Sequence, residues 1–577
     1  MINRFNIGVL ILVSLPAFAE DYYVHPSGGE GSGSKSDPWS LSYANAQLRP
    51  GDKAILRGGN YKNEQIAPSR SGTSESQRII YQAYPSETPE FRPTKSINSP
   101  MSLVGKKYIT IDGIDADGGG IYEDSKYNQW ILFDGTTHVI LKNSKLMRSK
   151  GYSAFRFINN SDYNQILNNH VEYNGVWNVK PWKGEYDDSG SMMWIKSGND
   201  HNLIQGNVFK RSGHDLGLIE GSYNVIRDNY YDNFWEVYDG SSFSFKKGDI
   251  KSGDKVGNRA IELRKGKRNL VENNIFANIP ESVDQADVGI TKIGGTYQIV
   301  RRNFFINSTS QGAAMRSVLF KSSPIIQYNK IYNNTYYNIG GPAWEVASFD
   351  SQYSAPKNNV FKNNIVFKAR NRPTSSGRDV EIYFDKSLKG YYGDPHLGNI
   401  VAHNCIAYDE NASNQQVFSG ADSRSSLDNY EDNHPKTFFK NVQQQPDFVN
   451  KSPSSREHFM LSDGSRCIDQ AGDLTTTRSK GSGTVVPVDD ASYFSDGNGI
   501  VDGDVIAVGT ERVTVKGIDI SRNEITLDRS ISWSDGAGVN LAVSDYKLDI
   551  GALELEEKGT STSPPKHPKI VNIDRVQ

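Results

Sequence analysis

One short pattern recurs through the middle of this 577-residue chain and limits what it can fold into. An apolar strand is followed by a turn built on Gly or Asn, then by a second apolar strand ending in Asn. The copies are Val139–Asn143, Ile166–Asn169, Leu203–Asn207, Val225–Asn229, Leu270–Asn274, Ile299–Asn303 and Ile325–Asn329, with a weaker eighth ending at Asn364. The Asn-to-Asn steps are 26, 38, 22, 45, 29, 26 and 35 residues, so the short step is one unit and the long steps are that unit plus a loop. A unit of this size cannot bury its own apolar face, whereas stacked units bury one continuous core.

The texture inside each unit selects the kind of stack. The apolar runs are short, β-branched or aromatic, and bounded by Gly, Asn, Asp and Ser, which is the signature of strands. No long amphipathic helical pattern lies between Val104 and Phe367, which argues against helical solenoids and leucine-rich horseshoes. Propeller blades need longer units. The expected fold is all-β, a parallel β-helix with Asn at the corners of its coils. Asn suits such corners because it tolerates left-handed backbone and its amide both donates and accepts along a stack. These Asn residues are therefore assigned ladder or turn roles.

The termini read differently. Met1–Arg4 is a positive start, Ile7–Pro16 a short apolar run and Ala17–Ala19 a small-x-small cleavage site, so residues 1–19 are expected to be a signal peptide and the protein secreted or periplasmic. No other apolar run is long enough to span a bilayer. Residues 20–100 read as opening coils, 101–482 as the main stack, 483–558 as a small antiparallel β module followed by a last strand at Ile550–Glu554, and 559–577 as a disordered tail. The two cysteines, Cys405 and Cys467, sit in strand-like contexts, and either two thiols or one bridge fits them. The net charge is only −3, which gives nucleic acid no electrostatic purchase. The chain is expected to act as a monomer.

Aligning the coils on their Asn corners places one charged position just before each turn: Asp134, Asn160, Lys196, Glu220, Arg264, Lys292 and Lys321. Stacked strands lie about 4.8 Å apart. A row of mostly basic groups with one carboxylate suits an extended anionic polymer laid along the stack, and a solvated charged edge is the plainer alternative. Lys265 adds a cation beside Arg264. Two long steps carry aromatic loops, one with Trp235 and Tyr238, the other with Trp177, Trp182 and Tyr186. Loops on a rigid stack are where binding residues gather. His214, next to Asp215, leads into the Glu220 strand and is the natural proton shuttle near neutral pH.

Asp21–Gly29 and Gly51–Tyr61 resemble the opening of many secreted right-handed β-helix proteins, several of which bind or cleave polysaccharides. Ala260–Phe276 resembles a coil of the chondroitinase B and alginate lyase family, polysaccharide lyase family 6, with its Leu-Arg-x-Gly-x-x-Asn-x-Val-Glu-x-Asn-x-Phe run. That resemblance implies a catalytic role for Arg264 and a possible calcium-binding carboxylate at Glu220, without an evident partner carboxylate. The family's catalytic Lys is absent from Gly217–Asn224, so Lys196, Lys265 or Lys292 would supply the base. The expected activity is a polysaccharide lyase acting by β-elimination on a uronic-acid polymer. Catalysis falls to Arg264, Lys292, Lys196 and Glu220, and substrate binding to His214, Trp235, Tyr238, Lys265 and Lys321. A glycoside hydrolase is the rival. It needs two carboxylates about 5–9.5 Å apart, for which Glu220 with Asp239 or Glu262 with Asp287 are the candidate pairs. A non-catalytic polysaccharide-binding surface protein is the third reading.

Overall fold

The computed structural model describes residues 19–92, 99–118, 129–147, 149, 153–174, 191–212, 215–233, 259–279, 289–308, 313–319, 325–348, 351–369, 380–407, 416–419, 423–542 and 549–553. The sites proposed at His214, Trp235, Tyr238 and Lys321 lie outside them. So do the loop aromatics Trp177, Trp182 and Tyr186, the carboxylates Asp239 and Asp287, all but Ala19 of the expected signal peptide, and the expected tail.

Short strands, three to a coil, stack into a parallel β-helix. Among the described residues the first sheet holds 15 strands and the second and third hold 12 each. Pairing is parallel from coil to coil, as in Leu203–Gln205 beside Val225–Arg227, then Leu270–Glu272, with antiparallel end strands at Asp37–Trp39 and Ser423–Ser426. The side chains that alternate inward form the core. On the second sheet Phe209, Tyr231, Phe276, Phe305 and Tyr336 stack in file, with ring centroids 5.2, 5.1, 4.9 and 4.7 Å apart. Short helices at the two ends, Leu41–Gln47 and Leu427–Asn433, add Leu41, Ala44, Leu427 and Tyr430 to the same core.

The corner Asn residues form two ladders. One runs through Asn169, Asn207, Asn229, Asn274, Asn303, Asn334, Asn364, Asn404 and Asn441. Each Oδ1 accepts from the backbone N–H of the preceding coil's Asn and, at 2.8–3.1 Å, from its Nδ2. Glu431 ends the series: its Oε1 accepts from both the backbone N and Nδ2 of Asn441, at 3.0 and 2.6 Å. The second ladder runs Asn164, Asn202, Asn224, Asn269, Gln298, Asn329, Asn359 and Asn399. Two members of the sequence pattern therefore change place. Asn329 belongs to the second ladder, and the first continues at Asn334, 31 residues after Asn303. At the first copy Ser144 holds the ladder position, donating its backbone N–H to Asn169 Oδ1, while exposed Asn143 takes left-handed φ and bonds Asp112.

The C-terminal part covers two of the three outer faces. A six-stranded antiparallel sheet, from Thr475–Thr476 to Gly538–Leu541, lies on the first sheet. Its Val486, Ile506, Val515 and Ile525 pack with Leu203, Val225, Leu270, Ile299 and Val360. Arg301 on the first sheet is clamped between Glu272 at 2.7 Å and Asp504 of this module at 2.5 Å. On the second sheet Phe448, Phe459, Leu461, Ile550 and Ala552 cover Tyr230, Ile275, Phe304 and Ile365. The segment expected to be a last strand docks there without joining a sheet, through Gly551 N donating to Asn363 O at 2.9 Å. Cys405 and Cys467 form a disulfide across this contact, 62 residues apart.

Replacing Asn274 by Ala strands two donors on Asn229 and the carbonyl of Ile226. A denaturation midpoint should report a loss of about 2–3 kcal/mol, against well under half of that for exposed Asn143→Ala. Closing a loop of this length is worth up to about 4 kcal/mol on chain-entropy grounds, so Cys405→Ser should lower the melting temperature and make it insensitive to reductant.

A candidate active site on the outer face of the third sheet

The strand segments before the turns of the third sheet fix a row of outward side chains. Ile195, Ile219, Leu263 and Ile293 point into the core and pair across the sheet. The next residue in each coil therefore points out. The ladder continues through these residues: Lys196 N donates to Phe157 O, Glu220 N to Ile195 O, Arg264 N to Ile219 O and Gly294 N to Leu263 O. The row is thus Asp134, Ile158, Lys196, Glu220, Arg264 and Gly294.

This corrects the alignment made from sequence at two strands. Asn160 is not in the row; it lies in the following turn with left-handed φ. Lys292 is two residues short of it, because Gly294 occupies the row position and the left-handed residue, with φ 75°, is the following Gly295. A Cβ on Gly294 would come within 2.6 Å of Arg264 O, so the position admits no side chain. A slip of two residues keeps the same face. Lys292 accordingly stands on the outer side in the neighbouring row, paired in register with Glu262 and Arg316.

That neighbouring row, Arg156, Trp194, Leu218, Glu262, Lys292, Arg316 and Glu345, contains groups the sequence reading passed over. Stepping back two residues from Lys196 would have found Trp194, and from Arg264 it leads to Glu262, which the sequence offered only as a hydrolase carboxylate. The Lys196 ammonium lies 4.5 Å from the centre of the Trp194 ring, and the Arg156 guanidinium 5.6 Å from it. Glu262 is fully buried and binds Arg264 side-on, from Nε at 3.0 Å and Nη2 at 3.2 Å. Lys292 is buried as well, and Arg316 and Glu345 form a buried pair at 2.9 Å.

The groups nearer solvent are Lys196, Glu220, Arg264 and Lys265. Glu220 Oε1 lies 3.9 Å from both Arg264 Nη1 and Lys265 Nζ. Burial, and then the Arg156 charge, hold the Lys196 ammonium below the ordinary lysine range, against the opposing pull of Glu220. Burial also disfavours the charge on Arg264, but Glu262 outweighs it and holds the guanidinium more firmly protonated than usual. Burial alone would raise Glu262; Arg259, Lys292 and Arg264 together keep it ionised below the usual carboxylate range. The face therefore offers one permanently charged guanidinium, one lysine that gives up its proton more readily than usual, and one carboxylate between cations. Among the described residues, the set around Glu220 does not fit a calcium ion. The same oxygen already faces two cations, and among the described residues no group of three or more His, Cys, Asp or Glu side chains converges to hold a metal.

The sequence matches no family profile and no curated protein. Solved structures resemble the chain at low identity. Pectate lyase Pel9A is 14% identical with a TM-score of 0.42, over 81% of this chain and 94% of that one. The PL6 family alginate lyase AlyGC is 16% identical with a TM-score of 0.40, over 66% of this chain and 51% of that one. PfbA, a surface adhesin of Streptococcus pneumoniae, is 12% identical with a TM-score of 0.42, over 67% of this chain and 89% of that one.

Proposed function

We propose that the chain is an exported polysaccharide lyase that cleaves a uronic-acid polymer by β-elimination on the outer face of the third sheet. The observation that carries this reading is the row Lys196, Glu220, Arg264 on three successive strands, with a lysine of lowered proton affinity two strands from a fixed guanidinium. Elimination next to a carboxylate has two requirements. The carboxylate must be neutralised so that the neighbouring C–H becomes acidic, and a base must take that proton. Arg264 meets the first with its Nη edge. Lys196, in its neutral form, meets the second. The C–H electron pair becomes the new double bond, the C–O bond to the leaving sugar breaks, and the proton held by Lys196 is returned to the leaving oxygen. Glu220, 3.9 Å from Arg264 Nη1 and Lys265 Nζ, orients those two cations. Lys292, buried beside Glu262, is less suited to meet substrate than Lys196. Lys265, with a half-exposed side chain, would hold a further acidic group of the polymer. The disulfide supports export, since such bonds persist in oxidising compartments.

The hydrolase reading draws less support from this face. A general acid needs a raised pKa, and Glu262 is instead fully buried, ion-paired and held low.

Product absorbance decides between them, since elimination leaves an unsaturated, ultraviolet-absorbing end and hydrolysis does not. Arg264→Ala should lower turnover about a hundredfold or more in a folded protein, each tenfold being about 1.4 kcal/mol. Arg264→Lys should recover only part of it, because Lys lacks the planar fork. Unchanged turnover in Arg264→Ala would refute the assignment.

The pH profile tests Lys196. A base must be deprotonated, so the rate should rise with pH through the Lys196 pKa. Arg156→Gln removes a charge that pushes this pKa down, so the rising limb should move to higher pH. A limb that stays in place, or moves down, would remove Lys196 from the role.

A further inference from the structure

Behind Arg264 runs an unbroken line of charges that the reaction above does not use. Glu262 holds Arg264 through both oxygens. Arg259 Nη1 donates to Glu262 Oε2 at 3.0 Å, and Arg259 Nε lies 2.9 Å from Asp215 Oδ1. Glu262, Arg259 and Asp215 are 0, 1 and 0% exposed. They come from two adjacent strands, Asp215–Ile219 and Arg259–Leu263, whose register sets Asp215 against Arg259.

Stability does not explain this line. Ionised side chains are costly to bury, and well-packed apolar residues of similar size commonly hold a core as well or better. What the line supplies is geometry. Residues two apart on a strand share a face, so Glu262 reaches Arg264 directly. A side-on grip uses Nε and Nη2 and thereby fixes the plane of the guanidinium. The Nη1 corner is left turned toward Glu220, at 3.9 Å.

We infer that Glu262 is a positioning residue: it sets the plane and reach of Arg264 toward the sugar carboxylate, and Arg259 and Asp215 hold Glu262 in turn. The inference rests on the lyase reading of Arg264. A guanidinium that swings away by an ångström still meets the substrate, but stabilises the charge that develops on elimination less well. Loss of Glu262 should therefore fall on kcat rather than on KM.

Two measurements on Glu262→Gln test this. The first is the rate at which phenylglyoxal modifies Arg264, read on the Arg264 peptide by mass spectrometry, with no substrate present. Release from the fork should speed modification severalfold; equal rates in the two proteins would overturn the positioning itself. The second is formation of ultraviolet-absorbing product from alginate, polygalacturonate or chondroitin sulfate. Glu262→Gln should lower kcat about tenfold to a hundredfold with KM nearly unchanged. In an Arg264→Lys background the same change should cost no more than about twofold, because the fork it acts through is gone. Equal losses in both backgrounds would make Glu262 a purely structural group and overturn the inference. If Glu262→Gln fails to fold, Glu262→Asp keeps the charge but withdraws the carboxylate by one methylene, and the same two outcomes apply. A wild-type protein that gives no ultraviolet-absorbing product from any of the three polymers overturns the lyase reading and the catalytic part of this inference. The modification rate still decides whether Glu262 holds Arg264.

Discussion

The amide-to-amide bond between corner asparagines of successive coils is the constraint on which everything else depends. Each coil returns to the same corner with an Asn whose oxygen takes two donors from the coil before, and whose own donors reach the coil after and the backbone before it. Such a bond tolerates no slip: moving a coil by one residue would leave several buried polar groups unpaired at about 1–3 kcal/mol each. Loops of any length are allowed between corners, as the 45-residue step from Asn229 to Asn274 shows, provided the chain comes back in register. The left-handed residue just before each ladder position, such as Asn168, Asp228, Asn273, Arg302 and Asn363, makes the corner turn the same way every time. The series also needs an end, because its last Asn has donors but no further amide. Glu431 supplies it from a helix that closes the core.

Fixed register at the corner has consequences at the site. Side chains from different coils fall into straight rows across a sheet, so residues far apart in sequence become neighbours on adjacent strands. Glu220 and Arg264 are 44 positions apart in the chain and hold neighbouring places in one row. The sheet also brings Asp215 against Arg259. A charge line built this way inherits the rigidity of the backbone. Its members need not search for one another, and ordering them costs little once the coils are stacked.

Much of this was legible in the chain. The Asn spacing, together with short β-branched runs and no helical pattern between Val104 and Phe367, pointed to the parallel stack. The face of the charged row was legible too, because strand periodicity is two. Two things were not. The ladder has two parallel copies, and the spacing around Asn303 and Asn329 is close enough to one coil that it joined members of both. At Lys292 the row position is a glycine, which looks like the start of a turn; the hydrogen bond from Gly294 N to Leu263 O shows that the ladder continues. The buried state of Glu262 was equally hidden. Arg259-Ala-Ile-Glu-Leu-Arg264 reads as an exposed alternating strand, and nothing local says that its charges face one another rather than water. The Cys405–Cys467 bond depended on how the segment after the last coils folds back, which a 62-residue separation does not reveal.

The three outer faces differ in what meets them, and that difference assigns their roles. Two are apolar in rows, Leu203 to Val360 on the first sheet and Tyr230 to Ile365 on the second, and both are covered by the C-terminal part of the same chain. Their charges serve docking, as Arg301 does between Glu272 and Asp504. Neither of those apolar clusters takes a residue from the third sheet. Its outer rows carry Lys196, Glu220 and Arg264, and beside them Glu262, Lys292, Arg316 and Glu345. An apolar face left bare on a stack this long would invite association, and the C-terminal part covers both apolar faces. On the proposed reading, a polymer lying parallel to the stack along the third sheet would cross one strand about every 4.8 Å. A sugar residue of a polysaccharide is about that long, so successive acidic sugars would meet successive strands. That match favours a row such as Lys196, Glu220 and Arg264 over a single pocket as the unit of recognition.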